Sequence, residues 1–323
     1  MSHSVFDRYH PSIEKIIENV EKVIIGKREV IVLSLTALLS EGHVLLEDVP
    51  GVGKTLFVRT MAKSVSAQFN RIQFTPDLLP SDLTGLSIYN QQEQKFEFKQ
   101  GPLMGNIILA DEINRTSPKT QSALLEGMEE GSVTVDGTTH QLHKPFFVMA
   151  TQNPVEYEGT YPLPEAQLDR FLLKLTMGYP SFDEEIEVLN RYENSHPIQK
   201  AASVLSIADL TALQTEVKKV YVDSSVKRYI VDIATRTRNH HSIALGSSPR
   251  GSIALMKAAK SYAFIHHRDY VVPDDVKYLA PFVLGHRIVL KPEARFEGLE
   301  TQDVIEEIIE SVSIPAVRER SFS

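Results

Sequence analysis

EDVPGVGKT, residues 47–55, decides the fold, and it is a phosphate-binding loop with one place changed. The signature G-x-x-x-x-G-K-[ST] asks for glycine five residues before Gly53, and Asp48 stands there instead. Context argues for the loop. HVLLE (43–47) supplies an apolar strand before it and LFVRTMAKSV (56–65) a helical stretch after it, the strand, loop and helix that such a site requires. The backbone N–H groups from Gly51 to Thr55 are then placed to face phosphate oxygens, with a helix N-terminus behind them. Lys54 would reach the β and γ phosphates, and Thr55 would ligate Mg²⁺. Pro50 has no N–H, so the cradle begins after it. The candidate nucleotide-binding stretch is therefore Pro50, Gly51, Val52, Gly53, Lys54, Thr55 and Leu56. The alternative is a glycine-rich turn with an incidental lysine, which only further motifs can exclude. Asp48 poses its own question, because a carboxylate facing a triphosphate would have its pKa raised and would weaken binding. We expect it to turn away into the base of the loop and accept backbone N–H bonds, as turn aspartates do.

Working outward, the strand candidates are HVLLE, FNRIQF (69–74), NIILA (106–110), FFVMAT (146–151) and FLLKLT (171–176), alternating with amphipathic stretches. Five such runs predict a doubly wound α/β sheet. Two segments fit no covering helix. LSIYNQQEQKFEFKQGPL alternates polar and apolar residues around a polar tip, which predicts a hairpin near 83–103. SVTVDGTTHQL carries Asp136-Gly137 between β-branched runs and predicts a second near 131–144. VIVLSLTALL (30–39) is too short to span a bilayer and reads as a core helix. Beyond MGYPSF (177–182) helical periodicity takes over, so a boundary near Pro180 divides residues 1–180, with N-terminal helices, from a helical part at 181–323. There GSSPRG offers Ser248 as an N-cap before Pro249.

The 323 residues fit two domains of about 150 residues each, and their hydrophobic fraction of 42% with 24% charged residues is that of a globular protein. A net charge of -8 argues against a surface that grips nucleic acid. Cysteine is absent, which excludes disulfides and thiolate metal sites and is compatible with a reducing compartment. MSHSVFDRYH lacks the basic and apolar regions of a leader, so export is not expected and a cytoplasmic location is.

A phosphate loop needs partners. NIILADE sets Asp111 and Glu112 at the C-terminal end of an apolar strand, where open parallel sheets build ligand sites. Asp111 suits a water-mediated Mg²⁺ contact and Glu112 the orientation and deprotonation of an attacking water. Strand-GVGKT, LADEINR (109–115), ATQNP (150–154), YPLPEAQLDRF (161–171) and SPRG (248–251) together resemble the AAA+ ATPases, and within them the MoxR family, whose loop commonly reads EDVPG. The resemblance covers nearly the whole chain. It implies ATP as substrate with Mg²⁺, a five-stranded parallel sheet in the order 5-1-4-3-2, and a helical lid. The two hairpins correspond to that clade's helix-2 and pre-sensor inserts.

By the same resemblance Asn153 would be the first sensor, touching the γ phosphate or the attacking water, although an Asn-Pro turn alone explains it equally. Arg170 matches the arginine finger, delivered from a neighbouring subunit, and Arg250 the second sensor. Arg250 also stands in the first turn of a helix, where its charge opposes the dipole. Ile25 and Gly26 in VIIGKRE (23–29) lie where the family contacts adenine, or simply precede a core helix. Arg115 could meet a neighbouring subunit or cap local structure.

The implied activity is that of an oligomeric chaperone or remodelling motor, a homo-oligomer in the form of a hexameric ring. Its substrates would be protein clients and its partner a von Willebrand factor A domain protein. A DNA-acting motor of the same clade is the alternative, but the second hairpin offers only Lys144 and neutral histidines. A small-molecule kinase would need neither finger, sensors nor lid.

Overall fold

In the computed structural model, which describes residues 9–153, 160–194 and 197–315, the five apolar runs become the strands of one sheet. The first eight residues, read above for a leader, and Pro154 of ATQNP lie outside the described residues. The strands are β1 (Val44–Glu47), β2 (Phe69–Gln73), β3 (Ile107–Asp111), β4 (Phe147–Gln152) and β5 (Leu173–Leu175). They are all parallel and lie in the order β2-β3-β4-β1-β5, the expected arrangement. A parallel sheet is covered on both faces, which is why its strands read as unbroken apolar runs. Successive residues still face opposite ways. Val44 and Leu46 enter the core on one side of the sheet, and Leu45 enters the core on the other.

On the first side lie α1 (Pro11–Glu21), α2 (Arg28–Leu39) and α3 (Lys54–Ser64). Every residue from Val30 to Leu39 is buried, so VIVLSLTALL is a core helix as its length suggested. The other side is covered by α4 (Pro118–Glu130), whose Ser117 N-cap accepts from the Thr120 N–H at 3.4 Å. Its end is set by Gly131, at φ 62°, a left-handed stop of the kind that favours glycine. His43, just before β1, ties the two sides together. Its Nδ1 accepts from the Val148 N–H at 3.0 Å and its Nε2 donates to the Met128 carbonyl at 3.1 Å. Complete burial pushes this imidazole down to about 4, so it is neutral.

The two hairpins pair Gly85–Asn90 with Lys95–Gln100 and Ser132–Val135 with Thr138–Gln141. Asp136 and Gly137 at the second turn both take positive φ, 49° and 77°, as a two-residue hairpin turn requires. Phe98 of one hairpin stacks on His140 of the other at 3.9 Å between ring centroids.

The C-terminal part is built from α5 (Phe182–Asn194), α6 (Ile207–Lys219), α7 (Ser224–Asn239), α8 (Pro249–Ile265), α9 (Pro273–Leu284) and α10 (Thr301–Ser311). It also holds a small antiparallel pair, Ile243–Leu245 with Val289–Leu290, too short to leave a period-two signal in the sequence. α8 packs on α2, and the apolar core runs without a break from α1 and α2 into these helices. Among the described residues no helix is long and apolar enough to cross a membrane.

Candidate active site

β1 delivers the chain to the loop, and α3 begins directly behind it. Gly53 is the N-cap of α3, at φ 91°, and among the described residues no side chain caps the helix. Gly51 stands at φ 88°, and a Cβ built on either glycine would meet open space. The glycines are thus required by backbone conformation, since left-handed φ strains other residues. What results is a helix N-terminus whose first N–H groups have no partner within the helix, an anion site by construction. Lys54 lies over the loop, its Nζ donating to the carbonyls of Asp48 at 3.1 Å and Val49 at 3.3 Å.

Asp48 does turn away from the loop mouth. It is 5% exposed, and its Oδ1 accepts from the Gly178 N–H at 3.1 Å while Oδ2 accepts from the Met177 N–H. The donors are not those of its own turn. They belong to the segment that leaves β5 for the helical part, so this carboxylate fastens the loop base to that segment. The next residue, Tyr179, accepts at its carbonyl from Lys27 Nζ at 3.0 Å. Gly26, at φ 69°, lies directly beneath the Glu184 carboxylate of α5. Gly26 and Lys27 are thus joined to residues 179–184, just past the two residues that Asp48 holds. Replacing Asp48 by Ala leaves two shielded N–H groups without an acceptor. Thermal unfolding should show a loss of about 1–3 kcal/mol, with ATP affinity changed far less. A large gain in affinity with unchanged stability would contradict this geometry.

Strand register assembles the rest. Glu47 pairs with Gln152, so Asn153 follows β4 at the level of Asp48, and it is buried. Gln73 pairs with Asp111 at the ends of β2 and β3. Asp111 Oδ1 accepts from Thr151 Oγ1 at 2.7 Å, and Oδ2 meets Arg71 Nη2 at 2.7 Å. Glu112 adopts φ 59°, a left-handed conformation that strains a non-glycine residue and is often found at working sites. Its N–H donates to Thr151 Oγ1 at 2.8 Å, and its Oε2 is reached by Gln73 Nε2 at 2.7 Å and Arg115 Nη1 at 3.1 Å. The acid pair is thus held by β2 and β4 as well as by its own strand. Thr151, Gln73 and Arg71 were read in the sequence only as strand residues. The signal available was Arg71 and Gln73 two apart, which places both on one face of β2.

The two arginines are elsewhere. Arg170 precedes β5, and Leu173 of β5 pairs with Val44, the first residue of β1. Arg170 and Arg250 therefore share a cleft with Gly42 and His43 at the N-terminal end of β1, the end opposite the loop. The four residues of β1 separate these ends by about 13 Å at roughly 3.3 Å per residue. Both arginines converge on one carboxylate: Glu129 Oε1 meets Arg250 Nη2 at 2.7 Å and its Oε2 meets Arg170 Nη2 at 3.2 Å. Glu129 was not singled out in the sequence. An acidic pair in the last turn of α4 opposes the helix dipole, the same misplacement that drew notice to Arg250.

A bare glycine-framed helix N-terminus, an adjacent lysine and oxygen donors at Thr55 and Asp111 fit a nucleotide with Mg²⁺, since a hard cation takes oxygen ligands. Residues 43–173 match the model of the ATPase family associated with various cellular activities (AAA), and residues 235–308 match the AAA lid domain. The chain is 65% identical over 309 residues to the uncharacterized protein YeaC of Bacillus subtilis, spanning 96% of this chain and 97% of the relative. It is 44% identical over 315 residues to the chaperone MoxR1 of Mycobacterium tuberculosis, spanning 95% and 83%. The crystal structure of a Cytophaga hutchinsonii protein proposed to be an ATPase superposes with a TM-score of 0.89 at 45% identity, covering 94% of this chain and 95% of that one. The fold and loop define an AAA+ ATPase, an ATP-hydrolysing enzyme with an α-helical lid, and the chain belongs to the MoxR family of that class.

Proposed function

We propose that this ATPase is an oligomeric, protein-remodelling motor whose active site is completed between subunits. One observation carries the reading: Arg170 and Arg250 are paired on Glu129 at the strand ends away from their own phosphate loop. A head-to-tail ring would bring that end of one subunit to the nucleotide of the next. Within a subunit, Gly51 to Thr55 would donate backbone N–H groups to the phosphates and Lys54 would neutralise the β and γ oxygens. Ile25 and Gly26 would bound the base beside Val52 and Leu56. Thr55 and Asp111 are the residues to hold Mg²⁺, which when bound neutralises charge on the phosphate oxygens. Glu112 would take the proton of the attacking water, and Asn153 would orient that water. Arg170 and Arg250, from the adjacent subunit, would stabilise charge on the transferring phosphoryl group.

In this reading residues 1–180 form the nucleotide-binding domain and 181–323 a lid. The Asp48 bonds to Met177 and Gly178 offer a direct route from loop to lid. Protein clients are supported by the first hairpin, where Tyr89 and Phe96 lie 5.3 Å apart and are 49% and 72% exposed, an apolar surface rather than a basic one. A hexameric ring, a von Willebrand factor A domain partner and a cytoplasmic location complete the proposal. Lys54→Ala tests its base. The variant should lose measurable nucleotide binding in equilibrium titration while keeping its fold, and undiminished affinity would overturn the assignment of the loop.

A further inference from the structure

We propose that Glu129 is a positioning residue that presets Arg170 and Arg250 as one two-guanidinium unit for the neighbouring subunit's nucleotide; this rests on the shared-site reading above. Its carboxylate divides its oxygens between two cations that come from different elements, Arg170 from the turn before β5 and Arg250 from the first turn of α8. With side-chain exposures of 35%, 29% and 59% for Glu129, Arg170 and Arg250, such pairs add little to stability. Two of the three also occupy poor places for folding: Glu129 lies at the negative end of α4 and Arg250 at the positive end of α8. Stability alone does not account for the arrangement. Moreover the Arg170 Nε–H, shielded from solvent, has no acceptor among the described residues.

The backbone around the pair is tied in parallel. Asp169 accepts from Arg287 Nε at 2.7 Å and from Ser248 Oγ at 3.3 Å, and Ser248 is the N-cap of the helix that carries Arg250. Arg287, 7% exposed, also donates to the carbonyls of Asp169 and Phe171 on either side of Arg170. Asp169 and Arg287 thus fix where the two arginines start, and Glu129 fixes where their charged ends lie. Because the chain contributes one arginine from the core and one from the lid, their relative position depends on the lid. Glu129 holds the two heads together across that joint, so that a neighbour's γ phosphoryl group meets a formed pair instead of two independent rotamers. The ordering is then done before substrate docks.

Glu129→Gln keeps the shape and removes the charge, and its amide presents a donor to one of the arginines. In the assembled protein, kcat for ATP should fall at least about tenfold with KM within about twofold, since only transition-state contacts are disturbed. Glu129→Asp, which keeps the charge with a shorter reach, should fall between the variant and the wild type. It carries the test if the glutamine variant does not fold. The deciding measurement dilutes Glu129→Gln subunits into excess Glu112→Gln subunits, with wild type diluted identically as reference. Each Glu129→Gln site then receives intact arginines from its neighbour, and its turnover should return to that of the diluted wild type. Turnover that stays low on dilution, or an unchanged kcat in the undiluted variant, would overturn the proposal. Failure here with complementation between Arg170→Ala and Lys54→Ala subunits intact would sink the role of Glu129 alone; failure of both would sink the shared site.

Discussion

Arg170→Ala should lower steady-state ATP turnover by about 10³-fold or more, the scale on which an arginine finger acts in phosphoryl transfer. Nucleotide affinity should change little, because the phosphate loop lies at the other end of the strands of the same subunit's sheet. The fold should also survive. The turn that carries Arg170 is anchored by Asp169 and Arg287, and the lost ion pair with Glu129 is partly exposed. Phosphate release and equilibrium nucleotide binding, measured on the same preparation, separate the two effects. Turnover near that of the wild type would remove Arg170 from the chemistry.

Glu112→Gln should bind ATP normally and hydrolyse it about 10²–10⁴-fold more slowly, the contribution of a general base. The substitution is nearly isosteric. The left-handed backbone at this position and its N–H bond to Thr151 do not depend on the carboxylate, so the geometry of the strand end should persist. What changes is the ability to accept a proton. Gln73 and Arg115, which now meet Oε2, should tolerate the amide oxygen in its place. A single-turnover measurement with bound ATP reads the chemical step directly, and normal turnover would exclude Glu112 from it.

The sequence and the structure agree most where local chemistry decides the outcome. The loop, the acid pair after NIILA and the Asp136-Gly137 turn each carry their own geometry in a few residues, and all three appear where the motifs put them. Strand order came from the family resemblance. Less legible were residues whose role depends on which strands become neighbours. Gln73 and Thr151 are ordinary members of apolar runs until β2 and β4 flank β3 and set them against Glu112 and Asp111. Asp48 illustrates the same limit. Its burial followed from electrostatics, but its partners, Met177 and Gly178, lie 129 and 130 residues away and reach it only because β5 pairs beside β1. Glu129 belongs to this group too, since nothing near it in the chain reveals the two arginines it holds.

The central claim is that one subunit's nucleotide is served by another subunit's arginines. Arg170→Ala subunits bind ATP but offer no finger, and Lys54→Ala subunits offer a finger but bind no nucleotide. Mixed before assembly, they should recover ATP turnover along a bell-shaped curve that peaks at equal proportions, because active interfaces then form most often. A flat curve at the level of the separate variants, with mixed assembly verified, would contradict the account.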